Sequence, residues 1–113
     1  MNRGDVVMVD WPYSDRQGSK FRPAVVVQAD FLNGLIDDTV LVAVTRTSRG
    51  ATTTEVVIDP AAEPTSGLRY RSVISCSNFL TIDQVLVVRA IGTLSGAAML
   101  RVDDALKSAL GLP

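Results

Sequence analysis

The segment SKFRPAVVVQA, residues 19–29, places Arg22 and Pro23 directly before a run of valines that is typical of a buried β-strand. A proline restricts the residue before it to extended backbone. The sequence therefore predicts a strand over 22–29, with Arg22 at the junction between a loop and that strand. A guanidinium whose direction is fixed in this way is well placed to bind an anion.

Five further segments have the short apolar pattern of strands, and turns rich in proline, glycine or asparagine separate them. They are GDVVMVD (4–10), TVLVAVT (39–45), TTEVVID (53–59), SVISCSN (72–78) and roughly VVRAIGTL (87–94). Several short strands at close spacing favour a small barrel or sandwich over a parallel α/β sheet.

Two segments predict helix rather than strand. Residues 30–37 predict one short helical turn that ends at Asn33-Gly34. From Ser95, a natural N-cap, to Gly111, the tail predicts an amphipathic helix that docks on the strands. The expected apolar face of this helix consists of Ala98, Met99, Val102, Leu106, Ala109 and Leu110. The predicted fold class is therefore mostly β with a C-terminal helix.

The chain has 113 residues, of which 47% are hydrophobic and 20% charged, as expected for one domain, 1–113, that buries a core. No segment approaches the roughly 18 uninterrupted apolar residues that spanning a bilayer requires. The first residues lack the apolar stretch of a signal peptide. We therefore expect a cytoplasmic protein with no membrane partner.

The chain contains no histidine and one cysteine, which excludes several kinds of site. Imidazole is the only side chain that titrates near neutrality without help, so no Ser-His-Asp triad, Cys-His pair or two-histidine mechanism is available. A single thiol excludes an intrachain disulfide and a thiolate zinc cage, and Cys76 is expected to be buried and inert. The adjacent carboxylates 37–38 and 103–104 should point apart and be solvated. We expect neither a metal nor a cofactor.

The charges are unevenly distributed, although the net charge is only −1. Three stretches, 16–29, 39–54 and 64–82, contain no acidic residue. They hold seven of the eleven cations, namely Arg16, Lys20, Arg22, Arg46, Arg49, Arg69 and Arg71. If the stretches converge, they form a basic face that attracts phosphates over about a Debye length. The alternative is that these are unrelated, solvated loop charges.

Arg22 begins one predicted strand and Thr45 ends the next, in VAVTRTS. If the two strands are antiparallel neighbours, the start of one lies beside the end of the other and these residues meet. A guanidinium can bind two phosphate oxygens and a hydroxyl can donate to a third. The alternatives are a surface ion-pair partner for Arg22 and a turn residue for Thr45.

Six segments, which together span essentially the whole chain, resemble in order and spacing the MazF/PemK family of toxin endoribonucleases. They are GDVVMVDWP, FRPAVVVQADFLN, LVAVTRTS, GLRYRSVISCSN, IGTLS and VDDALKSALGL. The resemblance implies a dimer of partly open, SH3-like β-barrels of the MazF/CcdB type. It also implies metal-independent cleavage of single-stranded RNA, and a cognate antitoxin whose disordered segment blocks the RNA groove.

In this resemblance, the catalytic arginine of the family falls on Arg22 and its catalytic hydroxyl on Thr45. The expected chemistry is attack of the RNA 2′-hydroxyl on the adjacent phosphorus, which leaves a 2′,3′-cyclic phosphate and a 5′-hydroxyl. The nucleophile belongs to the substrate, so neither histidine nor metal is required. A glutamate common in the family is replaced by Gln17, and Asp15 is the only carboxylate of that loop. Asp15 could act as the general base or be a solvated turn residue, and Arg22 could act as an acid or only bind the oxyanion.

The remaining candidate residues are RNA contacts. Trp11 and Tyr13 could stack on unpaired bases, or pack at the rim or a dimer interface. We expect Gln17 to contact RNA, and Lys20 and Arg46 to meet phosphates unless they are simply solvated. Ser48 could donate to RNA or cap its loop, and Asn78 could read a base in place of the family's glutamine. Residues 77–81 read SNFLT where the family commonly has DQIRT, a departure that bears on the target sequence and the dimer contacts.

Two other functional classes fit the same fold. A CcdB-like toxin shares the barrel but inhibits DNA gyrase through protein contacts. A catalytically inactive SH3-like module would only bind a partner. Neither class needs Arg22 or Thr45, so the effect of Arg22→Ala on toxicity separates both from a nuclease.

Overall fold

The computed structural model describes residues 1–113 and contains six strands and two α-helices, besides two short 3-10 turns. They are β1 (Asp5–Pro12), β2 (Ser19–Val26), α1 (Asp30–Asn33), β3 (Asp38–Thr45), β4 (Glu55–Ile58), β5 (Ser72–Asp83), β6 (Arg89–Thr93) and α2 (Gly96–Leu110). All strand pairs are antiparallel, in the order β4-β5-β3-β2-β1-β6. The sheet curls into a half-barrel, which confirms the predicted fold class.

Both faces of the sheet are buried because alternate side chains of the central strands enter two separate apolar clusters. In β1, Val6 belongs to the first cluster, whereas Val7 and Val9 belong to the second. The first cluster also receives the buried face of α2, and it contains buried residues of β2, β3, β4 and β5. The helix therefore closes one face of the half-barrel.

Helix α2 begins and ends where the sequence predicts. The Oγ atom of Ser95 accepts a hydrogen bond from the Ala98 amide at 3.1 Å, and Gly111 ends the helix with a left-handed backbone, φ 68°. The residues buried against the sheet are Ala98, Val102 and Ala105. Leu110, predicted on this face, is 55% exposed because it lies about 120° around the helix from Ala98.

Strand β2 begins at Ser19, three residues before the predicted junction, because β1 pairs with it from Pro12–Ser19 to Val6–Val25. Arg22 consequently lies within the strand, opposite Val9, rather than at a loop-to-strand junction. Pro23 is tolerated there because the ladder between β2 and β3 starts only at Ala24. The missing amide of Pro23 therefore breaks no hydrogen bond on that side.

Strand β5 extends to Asp83, five residues beyond the predicted end. Val42 of β3 faces Phe79, whereas the next residue, Ala43, faces Ser75. Residues 76–78 therefore form a bulge of three residues without partners on β3. Cys76 is fully buried in this bulge, as predicted, and burial raises the pKa of its thiol to about 11.

Arg3, which lies just before β1, connects three segments. Its Nη2 atom forms an ion pair with Asp103 at 2.6 Å, its Nε atom donates to the Val27 carbonyl at 2.8 Å, and its amide donates to Asp30. The prediction that the 103–104 carboxylates are simply solvated is therefore wrong for Asp103.

No helix is both long enough and apolar enough to cross a membrane.

The long loop 59–71 packs tightly along β6. Thr93 and Thr65 exchange two hydrogen bonds of 2.9 Å, and the Glu63 carboxylate accepts from both the amide and the hydroxyl of Ser95. A Cβ atom on Gly67 would lie 2.1 Å from the Ile91 carbonyl oxygen, and one on Gly92 would lie 2.3 Å from that of Thr65. Glycine at both positions thus allows the close approach that fixes this loop.

Candidate functional site

A pocket of about 1100 Å³ opens where β2 and β3 separate, and we call it the mouth pocket. Six segments line it: β1, β2, the end of β3 with the residues that follow, the end of the 59–71 loop, the start of β5, and β6. The lining residues are Met8, Lys20, Phe21, Arg22, Pro23, Val44, Thr45, Arg46, Thr47, Gly67, Leu68, Arg69, Tyr70, Ser72, Arg89 and Ile91.

The mouth pocket brings Arg22 and Thr45 together, as the antiparallel pairing predicts. The last ladder pair between β2 and β3 is Ala24–Ala43. Two residues further along each strand, the same register places Arg22 opposite Thr45, but the strands have parted and the ladder does not continue. The two side chains line the resulting gap instead of closing it.

Arg22 is half-buried, and its Nε atom is buried without any hydrogen-bond partner. Leaving a buried donor unpaired costs about 1–3 kcal/mol, so such groups are rare in folded proteins. Thr45 is also half-buried, and its hydroxyl donates to the Thr47 carbonyl at 3.1 Å. That hydroxyl oxygen can still accept a hydrogen bond, and rotation about the Thr45 side chain can redirect its proton into the pocket.

The mouth pocket is strongly cationic. Five of its sixteen lining residues are basic and none is acidic: Lys20, Arg22, Arg46, Arg69 and Arg89. Four of these come from the three acid-free stretches, so the predicted convergence is confirmed for them. Arg16, Arg49 and Arg71 do not line the pocket. Because no carboxylate neutralises the five charges locally, they attract anions to one end of an overall acidic molecule.

Two lining residues, Arg89 and Tyr70, are absent from the candidates that the sequence suggests. Tyr70 stands between Arg69 and Arg71, and this interleaving of basic and aromatic residues is a signal for nucleic-acid binding. The guanidinium of Arg46 lies over the Tyr70 ring, 3.9 Å from its centroid. Arg89 carried no comparable local signal, because only the pairing of β6 with β1 brings it to the pocket.

The first hairpin loop does not reach the mouth pocket. Trp11 is only 5% exposed and packs in the second apolar cluster, which favours the packing alternative over stacking on a base. Tyr13 is 47% exposed, beside Gly18. Gln17 is exposed, and its backbone N–H donates to the Asp15 carboxylate at 3.0 Å. Asp15 therefore stabilises the loop and does not line the pocket.

Ser48 and Asn78 also lie outside the pocket walls. The Ser48 hydroxyl donates to Glu55 at 2.5 Å and accepts from the Gly50 amide at 2.9 Å, which favours the capping alternative. This hydrogen bond and a second one from the Arg49 amide lower the pKa of Glu55. Asn78 is half-buried in the β5 bulge, and Leu80, where the family commonly has arginine, packs against the second cluster.

Residues 2–110 match the family model of PemK-like, MazF-like toxins of type II toxin–antitoxin systems. An endoribonuclease from a mycobacterial species, solved in complex with its cognate antitoxin, is 26% identical, with a TM-score of 0.82 over 100% of this chain and 97% of that chain. The Mycobacterium tuberculosis toxin MazF-mt6 is 26% identical, with a TM-score of 0.74 over 95% of this chain and 98% of that one. MazF from a Deinococcus radiodurans MazE–MazF structure shares the fold at 19% identity, with a TM-score of 0.75 over 100% and 98% of the two chains.

Proposed function

The chain belongs to the family of PemK-like, MazF-like toxins of type II toxin–antitoxin systems, and from this premise we propose that it is an endoribonuclease that cleaves single-stranded RNA in the mouth pocket. One observation supports this proposal most directly. The buried Nε donor of Arg22 has no partner within the chain, and Arg22 and Thr45 together line a pocket with five cations and no carboxylate. A phosphodiester supplies the anion that this arrangement lacks.

In the proposed reaction, the RNA 2′-oxygen attacks the adjacent phosphorus as the bond to the 5′-oxygen of the next nucleotide breaks. The products are a 2′,3′-cyclic phosphate and a 5′-hydroxyl. Arg22 binds non-bridging phosphate oxygens and stabilises the charge that accumulates on them, while the Thr45 hydroxyl donates to a third oxygen. DNA lacks the 2′-hydroxyl and is not a substrate.

Two protons must move during this reaction. The 2′-hydroxyl loses one proton, and the leaving 5′-oxygen gains one. Because the chain has no histidine and the pocket walls carry no carboxylate, we propose that water in the open pocket exchanges both protons. The contribution of the protein is then alignment and charge stabilisation, which require no metal ion.

The same pocket suggests how the enzyme is controlled. One structural relative was solved in complex with its cognate antitoxin. We propose that this chain also has a cognate antitoxin, a partly disordered protein whose acidic residues occupy the cationic mouth pocket and exclude RNA. We further propose that the toxin is a homodimer, as the family resemblance implies.

Cleavage of a long single-stranded RNA in excess EDTA, with the fragment ends mapped, tests this function. The wild type should give discrete cuts with 5′-hydroxyl ends, and both Arg22→Ala and Thr45→Ala should abolish them. Arg71→Ala is the matched control, because it removes a cation that does not line the pocket. No cutting by the folded, antitoxin-free protein would overturn the proposal, and toxicity that survives Arg22→Ala would indicate a protein target such as gyrase.

A further inference from the structure

The Arg46–Tyr70 pair lies in the mouth pocket but has no part in the proposed catalytic chemistry. The guanidinium is stacked on the ring at 3.9 Å, and the tyrosine is nevertheless 57% exposed. Neither side chain forms a hydrogen bond or an ion pair with another residue of the chain. A planar cationic and aromatic surface is thus presented to the mouth pocket with its polar groups unused.

The structure holds this pair in place from both sides. Arg46 directly follows Thr45 at the end of β3, so its backbone position is set by the sheet. Tyr70 lies at the end of the 59–71 loop, which the close contacts at Gly67 and Gly92 fix against β6. The carbonyl of Tyr70 also accepts a hydrogen bond from the Ser72 hydroxyl at 2.8 Å. Binding a ligand here therefore requires little ordering of the protein, which favours affinity.

We propose that the Arg46–Tyr70 pair is a binding site for one unpaired nucleobase, which stacks on it beside the phosphate held by Arg22 and Thr45. This inference rests on the proposed function for the position of that phosphate. Consecutive Cα atoms are about 3.8 Å apart, so Arg46 is adjacent to the residue that contacts the reacting group. The base therefore belongs to a nucleotide that flanks the cleaved bond.

The chemistry of the pair favours a base over a further phosphate. Unpaired bases stack on aromatic rings and on guanidinium planes, and every base has a π-face suited to this contact. Lys20, Arg69 and Arg89 already line the same pocket and can bind the neighbouring phosphates. A site for phosphate alone would not need the exposed tyrosine ring.

An abasic scan of RNA binding tests the proposal. In a short single-stranded RNA made uncleavable by 2′-deoxy substitution at the cut site, each nucleotide in turn is replaced by an abasic one. Affinity is measured for the wild type, Tyr70→Leu and Tyr70→Phe. If no cut site is found, the same scan is run on an unmodified RNA, so the test does not depend on cleavage.

At one position beside the cut, removing the base should weaken binding to the wild type roughly tenfold or more. Tyr70→Leu should weaken binding to the intact RNA by a similar factor. Removing the base at that position should then cause no further loss of affinity for this variant. Tyr70→Phe should behave as the wild type does. Phe31→Leu, which removes a 75% exposed ring outside the pocket, is the control and should change nothing. The base site is overturned if, at every position, the affinity loss from Tyr70→Leu and the loss from removing the base simply multiply. This outcome would count even if the RNA is cleaved as proposed.

Discussion

Arg3 and Arg22 are both half-buried arginines, yet their surroundings are opposite. Arg3 forms an ion pair with Asp103 and donates to the Val27 carbonyl, and it joins β1 to α2 and to the segment after β2. Arg22 lies in the mouth pocket with a buried Nε donor that no residue of the chain accepts. The guanidinium of Arg3 is hydrogen-bonded within the fold, whereas that of Arg22 is available to a ligand.

This difference distinguishes an arginine that supports the fold from one that is available to bind a ligand. Partners within the chain offset the cost of desolvating Arg3, but nothing in the free protein offsets that cost for Arg22. An anion that enters the mouth pocket can accept the hydrogen bond that no residue of the chain accepts from Arg22. The four experiments below test whether the two roles can be separated in this way.

The largest expected effect is on cleavage in Arg22→Met, which removes the donors and keeps the aliphatic stem. RNA cleavage should fall roughly 100- to 1000-fold, as for loss of one donor to a transition-state oxyanion. The urea midpoint should stay the same or rise slightly, because an unpaired buried donor disappears. A large fall in the midpoint would show that Arg22 supports the fold and would remove the contrast with Arg3.

The second experiment tests the frame that supports the mouth pocket. Gly92→Ala places a methyl group 2.3 Å from the Thr65 carbonyl oxygen, where only backbone movement can relieve the clash. The free energy of unfolding should fall by about 1–3 kcal/mol, measured by urea titration.

Gly96→Ala provides the control for Gly92→Ala, because a Cβ atom there meets nothing within 4 Å. Its urea titration should match the wild type or show a small gain from the better helix propensity of alanine. If Gly92→Ala were equally harmless, the 59–71 loop would not be fixed by close packing against β6.

Arg3→Met should have the opposite effects to Arg22→Met, lowering stability and leaving cleavage unchanged. Losing the ion pair and the bond to Val27 should lower the free energy of unfolding by about 1–2 kcal/mol, since the pair is only partly shielded from water. Cleavage per folded molecule should match the wild type. We would measure both quantities on one preparation, and a parallel loss of cleavage would mean that the two roles are coupled.

The smallest expected effect is on the pH dependence of stability, and it arises from Glu55 and the loop that contains Ser48 and Arg49. The Ser48 hydroxyl and the Arg49 amide lower the pKa of Glu55 in the folded protein below its ordinary value of 4.5. The unfolded chain therefore takes up this proton first, so the stabilisation is complete above about pH 4.5 and is lost as the pH falls through the lower, folded-state pKa.

Urea titrations of the wild type and Glu55→Gln from pH 7 to pH 3 measure this contribution. The variant should lack the Glu55 part of the acid-induced loss, and Ser48→Ala should reduce that part. RNA cleavage at pH 7 should be the same in Ser48→Ala as in the wild type if Ser48 acts only within its loop. Identical acid profiles for all three proteins would contradict the assignment of the hydrogen bonds.

Locally encoded features could be predicted from the sequence. The bounds of α2 follow from the N-cap at Ser95 and the glycine at 111, which act within a few residues of each helix end. The meeting of Arg22 and Thr45 follows from one antiparallel pairing. The burial of Trp11 was also encoded, because it continues the alternation of Val7 and Val9 into the second cluster. This alternation favours packing, one of the two alternatives left open for its ring.

Features that depend on contacts between distant segments could not be predicted in this way. Strand β2 begins before Pro23 because β1 pairs with it there and β3 does not, a balance that no local pattern shows. The β5 bulge depends on two different registers with β3. Arg89 reaches the mouth pocket only because β6 pairs with β1, and Tyr70 only because the 59–71 loop is fixed along β6.

The pairing of β6 with β1 also determines when the mouth pocket can exist. Of all the strands, β6 is made last during synthesis, and it contributes Arg89 to the pocket and the surface that fixes the 59–71 loop. A growing chain whose C-terminal part is still inside the ribosome cannot complete this pairing. The mouth pocket, and with it the RNA cleavage proposed there, is therefore complete only after the final segments have emerged.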